Sequence, residues 1–222
     1  MSQHPEIIAA PLTIWIAPVG TAFPGLSDAP GELWVLLGVN GARSLSGSGV
    51  SVTHQHTWSS PPPPAGETAS NVSTIESEDL RLRVELLDLT VEQYALAMGA
   101  GDVARVARMP GAPGTRSIGL SVATRAAQEF AVLARGPSPY LDGLVSQYEL
   151  PRCTEAGSPQ VVFRRGVPAA LAIEFKALPD PSAISEAERF GRLTAQDSTA
   201  VVPIAADDGR FLLTSADLFL EI

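Results

Sequence analysis

The segment Asp79 to Gly99, DLRLRVELLDLTVEQYALAMG, constrains this chain most, because two different periodicities meet in it. Leu80, Leu82, Val84 and Leu86 fall on one side of an extended chain, while Arg81, Arg83 and Glu85 fall on the other. That period-two pattern is the signature of a half-buried strand, with one face on a core and the other on water or a partner. The helix that follows is equally legible. Thr90 can cap its first turn, Gln93 can reach back to complete a capping box, and Leu89 and Tyr94 are spaced as a hydrophobic staple. Gly99 ends it, since glycine tolerates the left-handed conformation that closes a helix. Val91, Tyr94, Ala95 and Met98 recur at helical spacing and predict the face that docks onto the sheet.

Upstream, the stretch from Trp58 to Glu78 is too rich in Pro, Ser, Thr and Gly to be core and reads as a long inter-strand loop. Short apolar or alternating segments recur between turn signals elsewhere: Thr13 to Ala17, Leu33 to Leu37, Gly49 to Trp58, Ser117 to Thr124, Gln128 to Arg135, Ser146 to Leu150, Gln160 to Phe163 and Ala169 to Leu178. Their spacing predicts a mainly β fold, an antiparallel β-sandwich or barrel carrying one packed short α-helix. Thr21 to Gly31 and Met109 to Gly114 read as linkers, and Gly41 to Gly49 as a flexible connector. Ser185 and Glu188 have capping-box spacing and suggest a second, weaker helix over Glu186 to Phe190. Pro179 and Pro181 end the last core strand, dividing a β-domain (1–181) from a C-terminal extension (182–222). In that extension AVVPIAA and RFLLT flank Asp207, Asp208 and Gly209, the pattern of a small hairpin arm.

Composition removes whole classes of function. The formal net charge is −9, and Lys176 is the sole lysine, so no basic stripe exists to grip a phosphate backbone specifically. Cys153 is the only cysteine, which excludes an intramolecular disulfide framework and any cysteine-rich zinc site and leaves a buried free thiol as the expectation. The first residues lack a basic n-region and a long apolar h-region, and no run reaches the ~18 apolar residues of a membrane span, so the expected place of synthesis and residence is a cytoplasm.

The chemistry-bearing residues do not assemble an enzyme. His54 and His56 lie two apart on a strand, on the side of Val50, Val52 and Trp58. A zinc site needs further ligands, none of them a nearby histidine or cysteine, so a packed or interface role is expected. Glu76, Glu78 and Asp79 read as a solvated loop end. No serine sits in a nucleophile-elbow pattern, and GARSLSGSG lacks the lysine of a phosphate loop.

In their order, TIWIAPVGTAFP, ELWVLLGVNG, GVSVTHQHTW, the long loop and DLRLRVELLDLTVEQYALAMG, followed by AIEFKALPDPSA and FGRLTAQD, resemble the tail tube (major tail) proteins of long-tailed, non-contractile bacteriophages of siphovirus type. The similarity spans Leu12 to Asp197. It implies a structural virion protein of the tail, assembled in the host cytoplasm, that is not an enzyme and uses no cofactor. Hexameric rings of the chain would stack into a hollow tube through which the genome passes during ejection. The implied partners are sister copies, the tail tip or distal tail protein, the tail terminator, the tape measure protein during assembly, and DNA in non-specific transit, with no membrane. Ser51, Thr53 and Gln55 together with Arg81, Arg83 and Glu85 would then form the polar face of the inner wall. Trp58, Ser60, Pro61, Pro62, Pro63, Pro64, Glu67, Asn71 and Glu76 would belong to the loop that reaches the next ring. Phe211, Leu213, Leu218 and Phe219 would be contacts of the C-terminal arm. A neutral or acidic wall suits a conduit, because a basic one would hold DNA through many counterion-releasing contacts. A monomeric β-domain serving as a decoration or adhesion module is the alternative kept open, as is a related tube protein of a secretion or gene-transfer apparatus.

Overall fold

The computed structural model describes residues 12–60, 73–99, 103–120, 127–137, 145–161, 163, 165–166, 169–196, 202–205 and 211–214. The fold is mainly β with one helix, a curled antiparallel sheet in the form of a half-barrel. In chain order its elements are β1 (Thr13–Pro18), β2 (Val35–Leu36), β3 (Leu45–Ser59), β4 (Thr74–Leu86), α1 (Val91–Ala97), β5 (Ala104–Val106), β6 (Thr115–Ser117), β7 (Glu129–Pro137), β8 (Val145–Glu155), β9 (Leu171–Ala177), β10 (Arg192–Ala195), β11 (Val202–Ala205) and β12 (Phe211–Thr214). The main sheet runs β2-β1-β7-β8-β9-β4-β3, with β10 also paired to β8, and β5-β6 and β11-β12 are separate two-stranded ribbons.

Alternation in β4 is satisfied on both sides. Val84 stands opposite Val50 on β3 and Ile173 on β9, and Leu82 opposite Val52 and Phe175. Together with Leu86, Leu171, Ile14, Val132, Leu150 and Cys153 they form one continuous buried cluster. Burial pushes the Cys153 thiol up to about 12, so it packs as a small apolar group and stays protonated.

The helix forms as its caps predict. Gln93 N donates to Thr90 Oγ1 at 3.2 Å and Thr90 N to Gln93 Oε1 at 3.2 Å, which completes the capping box, and Gly99 takes φ +57°. Leu89 and Tyr94, the staple pair, both pack against the core. The docking face differs from the expected one. Gln93, Ala95 and Ala97 are the buried helix residues, whereas Val91 and Met98 remain partly exposed. The Gln93 amide must lie over the first turn to cap it, and two small alanines permit close approach, so the buried stripe is rotated toward 93 and 97.

Among the described residues, the other side of the sheet is covered at its β1-β7-β8 end. Trp34, Ala17, Ala131 and Leu133 make a second cluster with Trp15 and Phe23, and Trp34 Nε1 donates to Ala22 O at 3.1 Å. The Thr21 to Gly31 stretch is therefore a packed cover rather than a linker. A polar network fastens it. Arg135 donates to Asp28 O (2.5 Å), Gly25 O (2.9 Å) and Gln147 Oε1 (2.7 Å), and Gln147 Nε2 donates to Pro24 O (3.1 Å) and Glu149 Oε1 (2.5 Å). Gln147 is 1% and Glu149 4% exposed, so these bonds answer polar groups that burial would otherwise leave unpaired. Covered on both faces, β7 reads as the unbroken apolar run FAVLA.

Several other boundaries shift. β10, from the segment assigned to the extension, pairs with β8 from Arg192↔Glu149 to Ala195↔Ser146, so the main sheet continues past the expected division at 181. The weaker helix is a single 3-10 turn, Glu186–Glu188, without a side-chain cap from Ser185. The connector at 41–49 contains a 3-10 turn, Gly41–Ser44, and the start of β3, where Gly49 (φ +65°) lies in a break of register between Leu45 and Val50. Of Ser117 to Thr124, residues 117–120 are described and hold the end of β6, and of Gln160 to Phe163 the described residues hold a bridge from Val161 to Leu171; residues 121–124 and 162 lie outside the described residues. The hairpin expected in the C-terminal extension is present as β11 against β12.

Gly191 is where β10 is seated. Its φ is +125°, and a Cβ there would lie 2.1 Å from Glu149 O, a backbone atom. Gly191→Ala is expected to lower stability by on the order of 2 kcal/mol, read from the urea midpoint. A midpoint equal to wild type would contradict this seating.

Candidate assembly surface

At the β9-β4-β3 end the second face of the sheet is polar, and no described residue packs over it. Cross-strand register sets Ser51 opposite Arg83, Thr53 opposite Arg81 and Gln55 opposite Asp79. On the far side of β4, Arg83 faces Glu174, Arg81 faces Lys176 and Glu85 faces Ala172. The six residues expected to share a polar face thus lie on one surface, joined by Asp79, Glu174 and Lys176.

The charges on this surface are largely paired. Arg81 Nη1 contacts Glu174 Oε1 at 2.6 Å, Arg81 Nε contacts Asp79 Oδ2 at 2.8 Å, and Lys176 Nζ lies 3.5 Å from Asp79 Oδ1. Ser46 Oγ donates to Glu85 Oε2 at 2.7 Å. Arg83 is exposed and borders a shallow polar depression of about 330 Å3 with Gly157, Ser158 and Glu174. Asp79, Glu85 and Glu174 match Arg81, Arg83 and Lys176 in number, and Glu155 beside Glu174 adds a further carboxylate at the margin, so the described charges of this surface are not net basic. Partial burial pushes the Asp79 carboxyl up, but hydrogen bonding and charge from Arg81 and Lys176 outweigh it and hold the group below its ordinary value. What the surface offers is a dense set of hydroxyl, amide and ion-paired groups.

Beside it lies an open margin. β3 is the last strand of the sheet, and among the described residues nothing pairs with its outer edge along Val50–Ser59. Such a row of unpaired N–H and C=O groups invites another strand. β9 supports β4 only from Arg81 to Leu86, so Thr74–Leu80 and their β3 partners continue as a two-stranded ribbon. Trp58 (60% exposed) and Ile75 (50% exposed) stand opposite each other near its end.

This ribbon corrects the loop expected over 58–78. Trp58 and Glu76 are on β3 and β4, and only residues 60–73 connect the strands. Its polar sequence TIESEDL hid the strand, because a ribbon wet on both faces has no apolar period to read. Ser60 Oγ lies 3.1 Å from Ser73 Oγ at the ribbon's end. Pro61, Pro62, Pro63, Pro64, Glu67 and Asn71 lie outside the described residues, as do Leu218 and Phe219. Phe211 and Leu213 are on β12, opposite Ala205 and Pro203.

Sequence reasoning missed a second exposed apolar surface, at the opposite end of the sheet. Val35, Leu36 and Val39 border a groove of about 570 Å3 shared with Ile16, Leu96 and Phe130. Val35 is 60% and Val39 64% exposed. The run LWVLLGV did signal an apolar segment, but its wet positions depend on how short β2 is. No protein-family model and no curated protein matches this chain.

The Arg81–Asp79 pair gives a pH test. A carboxyl whose folded value is depressed contributes stability that is fully present above its unfolded value and is lost as pH falls through the folded one. Arg81→Met is therefore expected to lower Tm most at neutral pH, with the gap to wild type closing in acid as Asp79 protonates. A gap of constant size across that range would show that the pair does not couple to folding.

Proposed function

We propose that this chain is a structural protein that closes into hexameric rings and stacks as the tail tube of a long-tailed, non-contractile bacteriophage. The observation that carries the proposal is the open β3 edge beside a polar sheet face whose cations are matched by carboxylates. Pairing of that edge with the next copy would complete the strand's hydrogen bonding and extend the sheet around a bore. A head-to-tail contact of this kind closes when the rotation fits and repeats along an axis when rings stack. The face left on the inside would be Ser51, Thr53, Gln55, Arg81, Arg83 and Glu85. Its balanced charge leaves duplex DNA without the many cationic contacts that would arrest it.

Exposed apolar groups support assembly as well. Trp58 and Ile75 at the ribbon, and Val35 and Val39 at the groove, are large side chains left in water on a single chain. Their burial between copies would stabilise a ring or a stack. The segment 60–73 that links β3 to β4 would contact the next ring. The tail tip, terminator and tape measure proteins would be the partners that start, stop and measure such a tube.

Negative-stain microscopy of the concentrated protein tests the proposal, with rings or tubes expected. Particles that remain single globules at high concentration, and beside tail-tip initiators, would favour the decoration or adhesion module instead. Replacing residues 60–73 with Asn-Gly, a turn suited to a two-residue hairpin, is expected to give a folded protein that forms no tubes. Tubes of normal length from that variant would remove the inter-ring role of the segment. Truncation after Ser198 is expected to give tubes that dissociate at lower temperature, and unchanged heat stability would rule out a C-terminal arm that bridges neighbouring copies.

A further inference from the structure

On the other face of the same ribbon, alternation in β3 brings His54 and His56 to one side, with ring centroids 4.3 Å apart. Glu78 on β4 stands directly opposite His56. Its Oε1 lies 2.5 Å from His54 Nε2, while its Oε2 accepts a hydrogen bond from Arg189 Nη2 at 3.0 Å. One ligand atom from each of His54, His56 and Glu78 falls within 4.8 Å of the other two.

We propose that His54, His56 and Glu78 form a binding site for one zinc-class transition-metal ion that clips β3 to β4. Zinc bonds of about 2.0–2.1 Å to nitrogen and oxygen in tetrahedral array put ligand atoms roughly 3.3 Å apart. Small rotations of these side chains, two of which are exposed, reach that spacing. The ion takes the place now held by the His54–Glu78 hydrogen bond, and water completes its coordination from the open side. Glu78 binds through Oε1 alone and keeps Oε2 on Arg189, an outer contact of the kind that orients a metal-bound carboxylate. Arg189 shares its own charge with Glu186, 3.5 Å away, which moderates its repulsion of a cation. Two imidazoles and one carboxylate select zinc, copper or nickel over calcium and magnesium, which prefer all-oxygen shells.

The position gives the ion a purpose. Past Arg81 the ribbon has lost the support of β9, and a cross-strand metal bond there holds the pairing just below Trp58 and Ile75. The third ligand was not visible in the sequence because Glu78 is 24 residues from His54 and meets it only through the β3-β4 register.

Titration calorimetry of the full chain with Zn2+ tests the site, since the chain's third histidine, His4, can be removed as a control. One ion per chain is expected, together with a rise in Tm on adding Zn2+ that Ca2+ does not reproduce. His54→Ala, His56→Ala and Glu78→Gln should each weaken binding by about tenfold or more, and His4→Ala should leave it unchanged. Far-UV circular dichroism and the metal-free Tm confirm that each variant is folded. Absence of binding at tenfold excess of Zn2+, or binding that persists in the His54→Ala/His56→Ala double variant, would overturn the proposal.

Discussion

Leu82, Val84 and Leu86 of β4 are withdrawn from water between Val50 and Val52 on one neighbour and Leu171, Ile173 and Phe175 on the other. The rest of the sheet depends on that contact, because side chains alternate along a strand. A slip of one residue would turn Arg81, Arg83 and Glu85 into the core and expose the leucines, so register here is fixed by the large cost of burying unpaired charge. Once it is fixed, the polar side follows: Ser51, Thr53 and Gln55 must align with Arg83, Arg81 and Asp79, and Glu174 and Lys176 must fall within ion-pair reach. The apolar and polar surfaces are two results of one pairing.

At the other end of the sheet the same face is closed by a different device. Trp34 and Phe23 pack over Ala131 and Leu133, while Arg135 and Gln147 donate to the backbone of the covering segment and Glu149 accepts from Gln147 and Arg192. Among the described residues the sheet is therefore covered on both faces at β7 and on one face at β3 and β4. That asymmetry leaves one end of the sheet packed on both faces and the other end with a polar face and an unpaired β3 edge among the described residues. In the proposed ring, the end with the unpaired edge is where copies meet.

Local rules carried the helix well. Thr90 and Gln93 make their reciprocal bonds, and Gly99 adopts positive φ, because capping involves groups a few residues apart. The face that docks was not legible, since it depends on where the sheet lies relative to the capping glutamine. The strands with an apolar face, β1, β4, β7, β8 and β9, were visible for the same local reason. The outer part of β3 was visible as Gly49 to Trp58, but the polar start of β4 and the short β5, β6 and β10 were not, since they carry no apolar side-chain period. The cover at 21–34 was hidden in another way. Its Pro and Gly spacing is that of a linker, and contacts with residues about a hundred or more positions on, among them Ala131, Leu133, Arg135 and Gln147, turn it into structure.

By itself the sequence determined the mainly β class, the capped helix, the buried thiol and the two faces of β4, because alternation, capping and hydrophobicity act over a few neighbouring residues. Tertiary structure decided the curl of the sheet, the close approach of Gly191 to Glu149 that seats β10 on β8, the pairing of charges on the polar face and the meeting of His54, His56 and Glu78. Those features arise from groups 20 to more than 100 residues apart, and their proximity is set by strand register rather than by any local preference.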